Sequence, residues 1–343
     1  MTTSPETHPA GVAGSGATPA DLDRAHTVVT TLRHRLRAAV KGRDEIVDLV
    51  LVALLADGHV LLEDYPGSGK TTLARALGEG IADDDLAEGI APFRRIQFTP
   101  DLLPSDITGT NIFDMESQRF VFRPGPLFAH VVLADEINRT SPKVQAAMLE
   151  AMGEKQVTAD NTSHALDALF FVIATQNPLD LAGTYPLPTP QLDRFLFKLV
   201  MKHIARDAEI EVLASYPTPT LSRAAATAQV RRSDVLAARE AMRSAVTIHP
   251  LFRDCLVDLA RALRADPRTL QGASTRSLVL MLPALQARAL LEGRDYVSPD
   301  DLAAIAPHVF GHRLVVAPGG ANVDAILRDA LTPQLERLAR VTR

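Results

Sequence analysis

The sequence predicts an α/β fold, a mostly parallel five-stranded sheet followed by an all-helical region, and three observations lead there. Between residues 22 and 205 five short β-type runs, His59–Glu63, Phe93–Thr99, Val131–Glu136, Phe170–Asn177 and Phe197–Met201, alternate with helical patterns. Strands separated by helix-length crossovers pair in parallel, with helices covering both faces of the sheet. After about Asp207 the strand signal stops and helical periodicity takes over. The third observation is size: 343 residues, 46% hydrophobic and 22% charged, suit about two globular domains. The expected division is a tail at 1–21, the α/β unit at 22–205 and the helical unit at 206–343.

Taken in order, Met1–Asp21 is rich in Thr, Ser, Pro, Gly and Ala and has too little apolar surface to repay its ordering entropy, so it reads as a disordered tail. It holds no Lys or Arg in its first 20 residues and no apolar core, so a secretory signal is not expected. The most apolar stretch, Ile46–Leu62, is broken by Asp48, Asp57, Gly58 and His59, which excludes a membrane span. A cytoplasmic protein follows, with idle sequons at Asn138 and Asn161. Two stretches depart from simple alternation: Asn111–Gly125, a hairpin turning at Met115-Glu116-Ser117-Gln118, and Gln156–Leu166, a second around Asp160-Asn161. Pro217, Pro219 and Arg223–Gln229 form a loose connection before the helical part. One of its helices opens at Ser298, with Pro299 at the first position and Asp301 closing a capping box.

Composition also excludes functions. The net charge is −5, with the acidic excess in the front part, and there is no Trp and only four Tyr. That composition lacks the basic face and the stacking platforms of a dedicated nucleic-acid binder. The single cysteine, Cys255, rules out an internal disulfide and reads as a small buried hydrophobe. His308 and His312 stand at i, i+4, but Gly311 lies between them and no third ligand is evident, so they read as a helix end.

Val60–Thr71 is an apolar strand, a tight glycine turn and a helix opened by Lys70. Such a loop, Asp64, Tyr65, Pro66, Gly67, Ser68, Gly69, Lys70, Thr71 and Thr72, suits a triphosphate. Its glycines let backbone N–H groups turn inward and the helix N-terminus adds a positive dipole end. Lys70 reaches the outer phosphates and the Thr71 hydroxyl suits Mg²⁺. The pattern G-x-x-x-x-G-K-[ST] departs at its first glycine, which is Asp64, a residue that tolerates left-handed backbone. Sixty-five residues after Lys70, the strand Val131–Glu136 ends in adjacent carboxylates. Alternation along a strand would aim Asp135 at the metal and Glu136 at an attacking water. Asn177 closes the next strand and can orient that water, while Arg194 and Arg276 stand in Gln191–Phe195 and Gly272–Arg276.

Together these elements resemble the AAA+ ATPases, and more closely the MoxR family. The strings Ala134-Asp135-Glu136-Ile137-Asn138-Arg139-Thr140-Ser141-Pro142-Lys143-Val144-Gln145, Leu149-Glu150-Ala151-Met152, Ala174–Pro178, Leu192–Phe195 and Gly272–Arg276 carry the resemblance, which covers about Leu32–Leu314. It implies an AAA+ P-loop domain with a C-terminal helical lid. Lys70 and Thr71 match Walker A and Asp135 and Glu136 match Walker B. Asn177 matches sensor 1, Arg276 sensor 2 on the lid, and Arg194 the arginine finger that serves a neighbouring subunit. Val40-Lys41-Gly42-Arg43 looks like the segment against adenine, with Val40 and Gly42 as nucleotide contacts. The two hairpins match the helix-2 insert and the insert before sensor 1. The resemblance further implies Mg²⁺-dependent ATP hydrolysis in a homo-oligomer, a hexameric ring, that remodels or matures partner proteins, often ones carrying a von Willebrand factor A-type domain. Two rivals stand beside it. A nucleic-acid motor would want a basic hairpin, yet Asn111–Glu116 is acidic and apolar. A nucleotide switch without turnover would have no chemical need for Glu136, Asn177 and Arg194 together.

Overall fold

The computed structural model describes residues 17–63, 67–84, 90–177, 183–215, 229–319 and 322–340. Most of the expected tail, Asp64–Pro66 and most of the Pro217–Gln229 connection lie outside them. Chain order runs α1 (Pro19–Ala39), α2 (Asp44–Leu55), β1 (Val60–Glu63), α3 (Lys70–Glu79), β2 (Ile81–Ala82), β3 (Ala91–Gln97) and α4 (Pro104–Thr108). Next come β4 (Gly109–Asp114), β5 (Arg119–Pro124), β6 (Ala129–Asp135), α5 (Pro142–Glu154), β7 (Gln156–Ala159), β8 (Thr162–Ala165), β9 (Phe171–Gln176), α6 (Thr189–Leu192) and β10 (Phe197–Val200). After α7 (Arg206–Ala214) and β11 (Val230–Arg231) follow α8 (Arg232–Ala245), α9 (Pro250–Ala265), β12 (Thr269–Gln271), α10 (Thr275–Leu291), α11 (Pro299–Phe310), β13 (Val315–Val316) and α12 (Val323–Ala339).

The five expected strands form one sheet in the order β10-β1-β9-β6-β3, every neighbouring pair parallel. Period-two alternation divides its side chains between two cores. Val60, Leu62, Val131, Leu133, Phe171 and Ile173 face the larger core, shared with α1, α2 and the helices after β11. Leu61, Val132, Ala134, Val172 and Ala174 face the smaller one, with Met148 and Leu149 of α5. Both faces being covered explains why the central strands β1, β9 and β6 read as nearly unbroken apolar runs, whereas the edge strands β3 and β10 carry Arg94, Arg95 and Lys198. Helix α2 is apolar nearly all round because it is sandwiched: every residue from Val47 to Leu55 is buried.

Both hairpins form where expected and touch each other. Asn111 donates to Asp160 at 2.7 Å, and the Phe122 and His164 rings stack with centroids 3.6 Å apart. Helix α1 starts at Pro19, inside the expected tail, because Thr18 and Asp21 cap it reciprocally. Ser298 and Asp301 cap α11 in the same way, Ser298 N–H donating to the Asp301 carboxylate at 2.7 Å. The strand signal does not end at Asp207. β11 adds in parallel to β2, and β12 pairs antiparallel with β13. Pieces of two or three residues hold no alternation to read, so only their long-range partners reveal them. Among the described residues no helix is long and apolar enough to cross a membrane.

Candidate active site

β1 delivers the chain to the glycine turn, and the turn delivers it to α3. Gly67 and Gly69 have φ of 88° and 93°, the left-handed backbone that a side chain resists. Lys70 is the first residue of α3, so Thr71 and Thr72 lie in its first turn, where backbone N–H groups have no partner within the helix. Asp64, Tyr65 and Pro66, expected in the same loop, lie outside the described residues. Val40 is buried beside this turn: a Cβ on Gly69 would sit 3.5 Å from its Cγ1. Gly42, φ 66°, packs where a Cβ would come within 2.6 Å of Ala208. The Val40–Gly42 segment therefore runs between the glycine turn and the stretch leaving β10.

Asp135 ends β6 at 3% exposure and is the centre of the site. Thr175 of β9 donates to its Oδ1 at 2.7 Å, Lys70 Nζ lies 3.6 Å from the same oxygen, and Arg95 of β3 donates to Oδ2 at 2.6 Å. Burial pushes this carboxyl's pKa up, but the Arg95 and Thr175 hydrogen bonds and the Lys70 charge outweigh it and hold the pKa below the usual range. Glu136 is not a strand residue. Its φ is 59°, and its N–H donates to Thr175 Oγ1 at 2.9 Å as the chain breaks into a 3-10 turn, Ile137–Arg139. A left-handed break, not strand alternation, separates the two carboxylates. Gln97 donates to Glu136 Oε2 at 2.9 Å and Arg139 Nε lies 3.1 Å from it. Asn177 follows β9 directly, past the register pairs Glu63↔Gln176 and Ala134↔Ala174, so its backbone lies between the glycine turn and the acidic pair. This is the carboxyl end of a parallel sheet where strand order departs from chain order, the usual ligand crevice.

Arg194 and Arg276 are brought together, but elsewhere. Both line a pocket with Asp57, His59 and Lys155, at the amino end of β1. A four-residue strand rising about 3.3 Å per residue separates that end from the glycine turn. Arg276 thus does not join Lys70, as a sensor for its own subunit's nucleotide would. Arg194 donates through Nη1 to the Leu149 carbonyl, and Gly153 makes room for it: a Cβ there would fall 2.6 Å from Nη1.

Several residues in this geometry carry no local signal. Thr175, Arg95 and Gln97 act on Asp135 and Glu136 from neighbouring strands, and Gly153 acts through space on Arg194. Reading down β3 and β9 opposite the acidic pair would have found the first three. His312 is committed to the fold, with Nδ1 3.2 Å from the His308 carbonyl. Cys255 is buried and burial raises its thiol pKa.

Comparisons with known proteins agree with this geometry. The profile of the "ATPase family associated with various cellular activities (AAA)" matches residues 59–197, and that of the "AAA lid domain" matches 261–330. The chain is 42% identical over 315 residues to the uncharacterized protein YeaC of Bacillus subtilis, covering 90% of this chain and 94% of that one. It is 36% identical over 346 residues to Chaperone MoxR1 of Mycobacterium tuberculosis, covering 96% and 83%. A crystal structure of an ATPase candidate from Cytophaga hutchinsonii superposes with a TM-score of 0.80 at 32% identity, covering 91% of this chain and 96% of that one. With the parallel sheet, the glycine turn, the buried Asp135 node and these relatives in agreement, the chain belongs to the MoxR family of AAA+ ATPases.

Proposed function

We propose that this protein hydrolyses ATP to ADP and phosphate at a site shared by two subunits, and uses the cycle to remodel partner proteins. The observation that carries the reading is the separation of two half-sites. Lys70, Asp135, Glu136 and Asn177 meet at the carboxyl end of the sheet, while Arg194 and Arg276 meet beyond the amino end of β1. A guanidinium pair turned away from its own phosphate loop suits a neighbour's nucleotide.

Gly67–Thr72 would hold the triphosphate through backbone N–H groups, with Val40 and Gly42 on the base side. Lys70 would neutralise charge on the outer phosphates. Thr71 and Asp135 offer the hard oxygen donors that Mg²⁺ takes, and the Asp135 carboxyl, held below its usual pKa range, is ionised at neutral pH, so the residues fit the ion. When bound, Mg²⁺ supplies further charge neutralisation on the phosphate oxygens. Glu136 accepts the proton of the water attacking the γ-phosphorus, and Asn177 orients that water. Arg194 and Arg276 of the adjacent subunit offset the charge that grows in the transition state. Arginine fingers are worth about 10³ to 10⁵ in rate, or about 4 to 7 kcal/mol. An isolated subunit should therefore be a poor ATPase.

The assembly in this reading is a closed ring of six, in which every subunit has a neighbour. The relative named Chaperone MoxR1 supports a chaperone-like output, acting in the cytoplasm on partners with a von Willebrand factor A-type domain. The test is ATPase rate per subunit against protein concentration with Mg²⁺, with solution mass measured on the same samples. A specific rate that climbs as the assembly forms supports the shared site. A flat, appreciable rate from a monomer removes it.

A further inference from the structure

Arg194 can serve a neighbour only if the chain around it is held, and that stretch has no regular structure of its own. Helix α6 ends at Leu192 and β10 begins at Phe197, so Asp193–Leu196 is a short connection. One guanidinium from far along the sequence holds it. Arg313, in a single 3-10 turn (Gly311–Arg313) after α11, is 3% exposed. Its Nε donates to Asp193 Oδ1 at 2.6 Å, and Nη2 donates to the carbonyls of Asp193 at 3.1 Å and Phe195 at 2.8 Å. Nη1 donates to the Leu196 carbonyl at 3.3 Å and to the Val309 carbonyl, and lies 2.9 Å from His312 Nε2. Burial first, then the Arg313 charge, lowers the His312 pKa to about 3, so the ring stays neutral and accepts from Arg313.

Asp193 is tied a second time. Its Oδ2 accepts from Ser274 Oγ at 3.4 Å, and Ser274 is the N-cap of α10, two residues before Arg276. Arg313 therefore grips the backbone on both sides of Arg194, while its carboxylate partner grips the start of the helix that carries Arg276. A buried guanidinium must have its donors matched, and these are matched mostly to the Arg194 segment rather than to its own turn. A lysine, with one compact ammonium in place of a planar fork, cannot span those carbonyls.

Resting on the reading that Arg194 completes a neighbour's site, we infer that Arg313, acting through Asp193, is a positioning residue that sets Arg194 and Arg276 as a pair on the face offered to the next subunit. Arg313 reaches no phosphate itself. Its effect is on the geometry of the two residues that do, and a displacement of about 1 Å at such groups costs about 10²-fold in rate.

The experiment uses full-length Arg313→Lys, with Asp193→Asn as a second variant that keeps side-chain volume. Solution mass, nucleotide Kd, KM and kcat are measured for each, alone and mixed with Glu136→Gln subunits. The expected result is unchanged assembly mass, Kd and KM within about threefold, and kcat lower by about 10²-fold. Adding Arg313→Lys to a variant that carries both Arg194→Ala and Arg276→Ala should lower kcat no further, since Arg313 acts only through those two residues. Mixing Arg313→Lys with Glu136→Gln subunits should restore turnover, because the intact Arg194 of one then serves the intact Glu136 of the other. A merely structural role moves Kd, kcat and mass together and is not rescued by mixing. That outcome overturns the inference, as does full activity in both folded variants. Failure of both variants to assemble equally overturns it, for it makes Arg313 a fold residue. If Arg194→Ala itself keeps its kcat, the shared-site reading falls first.

Discussion

Thr175→Val tests the centre of the site with a nearly isosteric change. The Thr175 hydroxyl is fully buried and does two jobs, donating to Asp135 Oδ1 at 2.7 Å and accepting the Glu136 N–H at 2.9 Å. Valine fills the same space and does neither. Asp135 loses a hydrogen bond to a charged group and a largely buried N–H loses its acceptor, which together cost about 2 to 4 kcal/mol of stability. Function should suffer in its own way. Asp135 would keep its charge and its contacts to Arg95 and Lys70 but lose the group that fixes its orientation. Removing a partner of this kind typically costs about 10 to 100-fold in metal affinity or activity. The Glu136 backbone would also lose the bond that stabilises its left-handed conformation. The assay is an Mg²⁺ titration of ATPase rate, with denaturant unfolding of the same preparations and Thr175→Ser as the control that keeps the hydroxyl. Serine should stay close to the parent, while valine should need far more Mg²⁺ and unfold earlier. A valine variant with the parent's Mg²⁺ dependence would refute the argument that Thr175 orients Asp135.

Glu136→Gln should bind ATP normally and lose turnover, and parent-like hydrolysis would remove Glu136 from its role. Lys70→Ala should lose nucleotide affinity itself, read by equilibrium binding, and intact affinity would contradict the phosphate-loop reading. Arg194→Ala should bind nucleotide normally yet hydrolyse it about 10³-fold or more slowly, with activity returning when it is mixed with Glu136→Gln subunits. Acid should destabilise the fold through two buried imidazoles. His59 and His312 have pKa values lowered by burial to about 4 and about 3, below the unfolded value, so the unfolded chain binds more protons between those values and about 6.5. Their contribution is complete above about pH 6.5 and falls as pH drops toward the folded values, by about 2 kcal/mol for each histidine at pH 5. Denaturant midpoints equal at pH 7 and pH 5 would contradict this.

Legibility followed the range of the interaction. The glycine turn and the acidic pair were readable because their signal is local: a strand end, a glycine turn and a helix start are neighbours in sequence. The central sheet strands β1, β6 and β9 were readable because burial on both faces leaves nearly continuous apolar runs, and the edge strands β3 and β10 because they alternate with helical stretches. Thr175, Arg95 and Gln97 were not, since each acts across a parallel strand pair whose register no local pattern records. The same holds for β11, β12 and β13, whose partners lie at β2 and across the helical region.

The α/β class, the two hairpins, the glycine turn that opens α3 and the candidate functional residues were all legible in the chain. Those follow from side-chain periodicity and from backbone freedom at particular glycines. Packing, by contrast, settled which of those residues stand together. It set Glu136 off from Asp135 by a left-handed turn instead of by alternation. It also carried Arg276 away from Lys70 and beside Arg194, because the docking of α10 against the Arg194 segment is made by Asp193, Ser274 and Arg313. Those contacts join positions as much as 120 residues apart, and their geometry exists only once the sheet and the helical region have packed together.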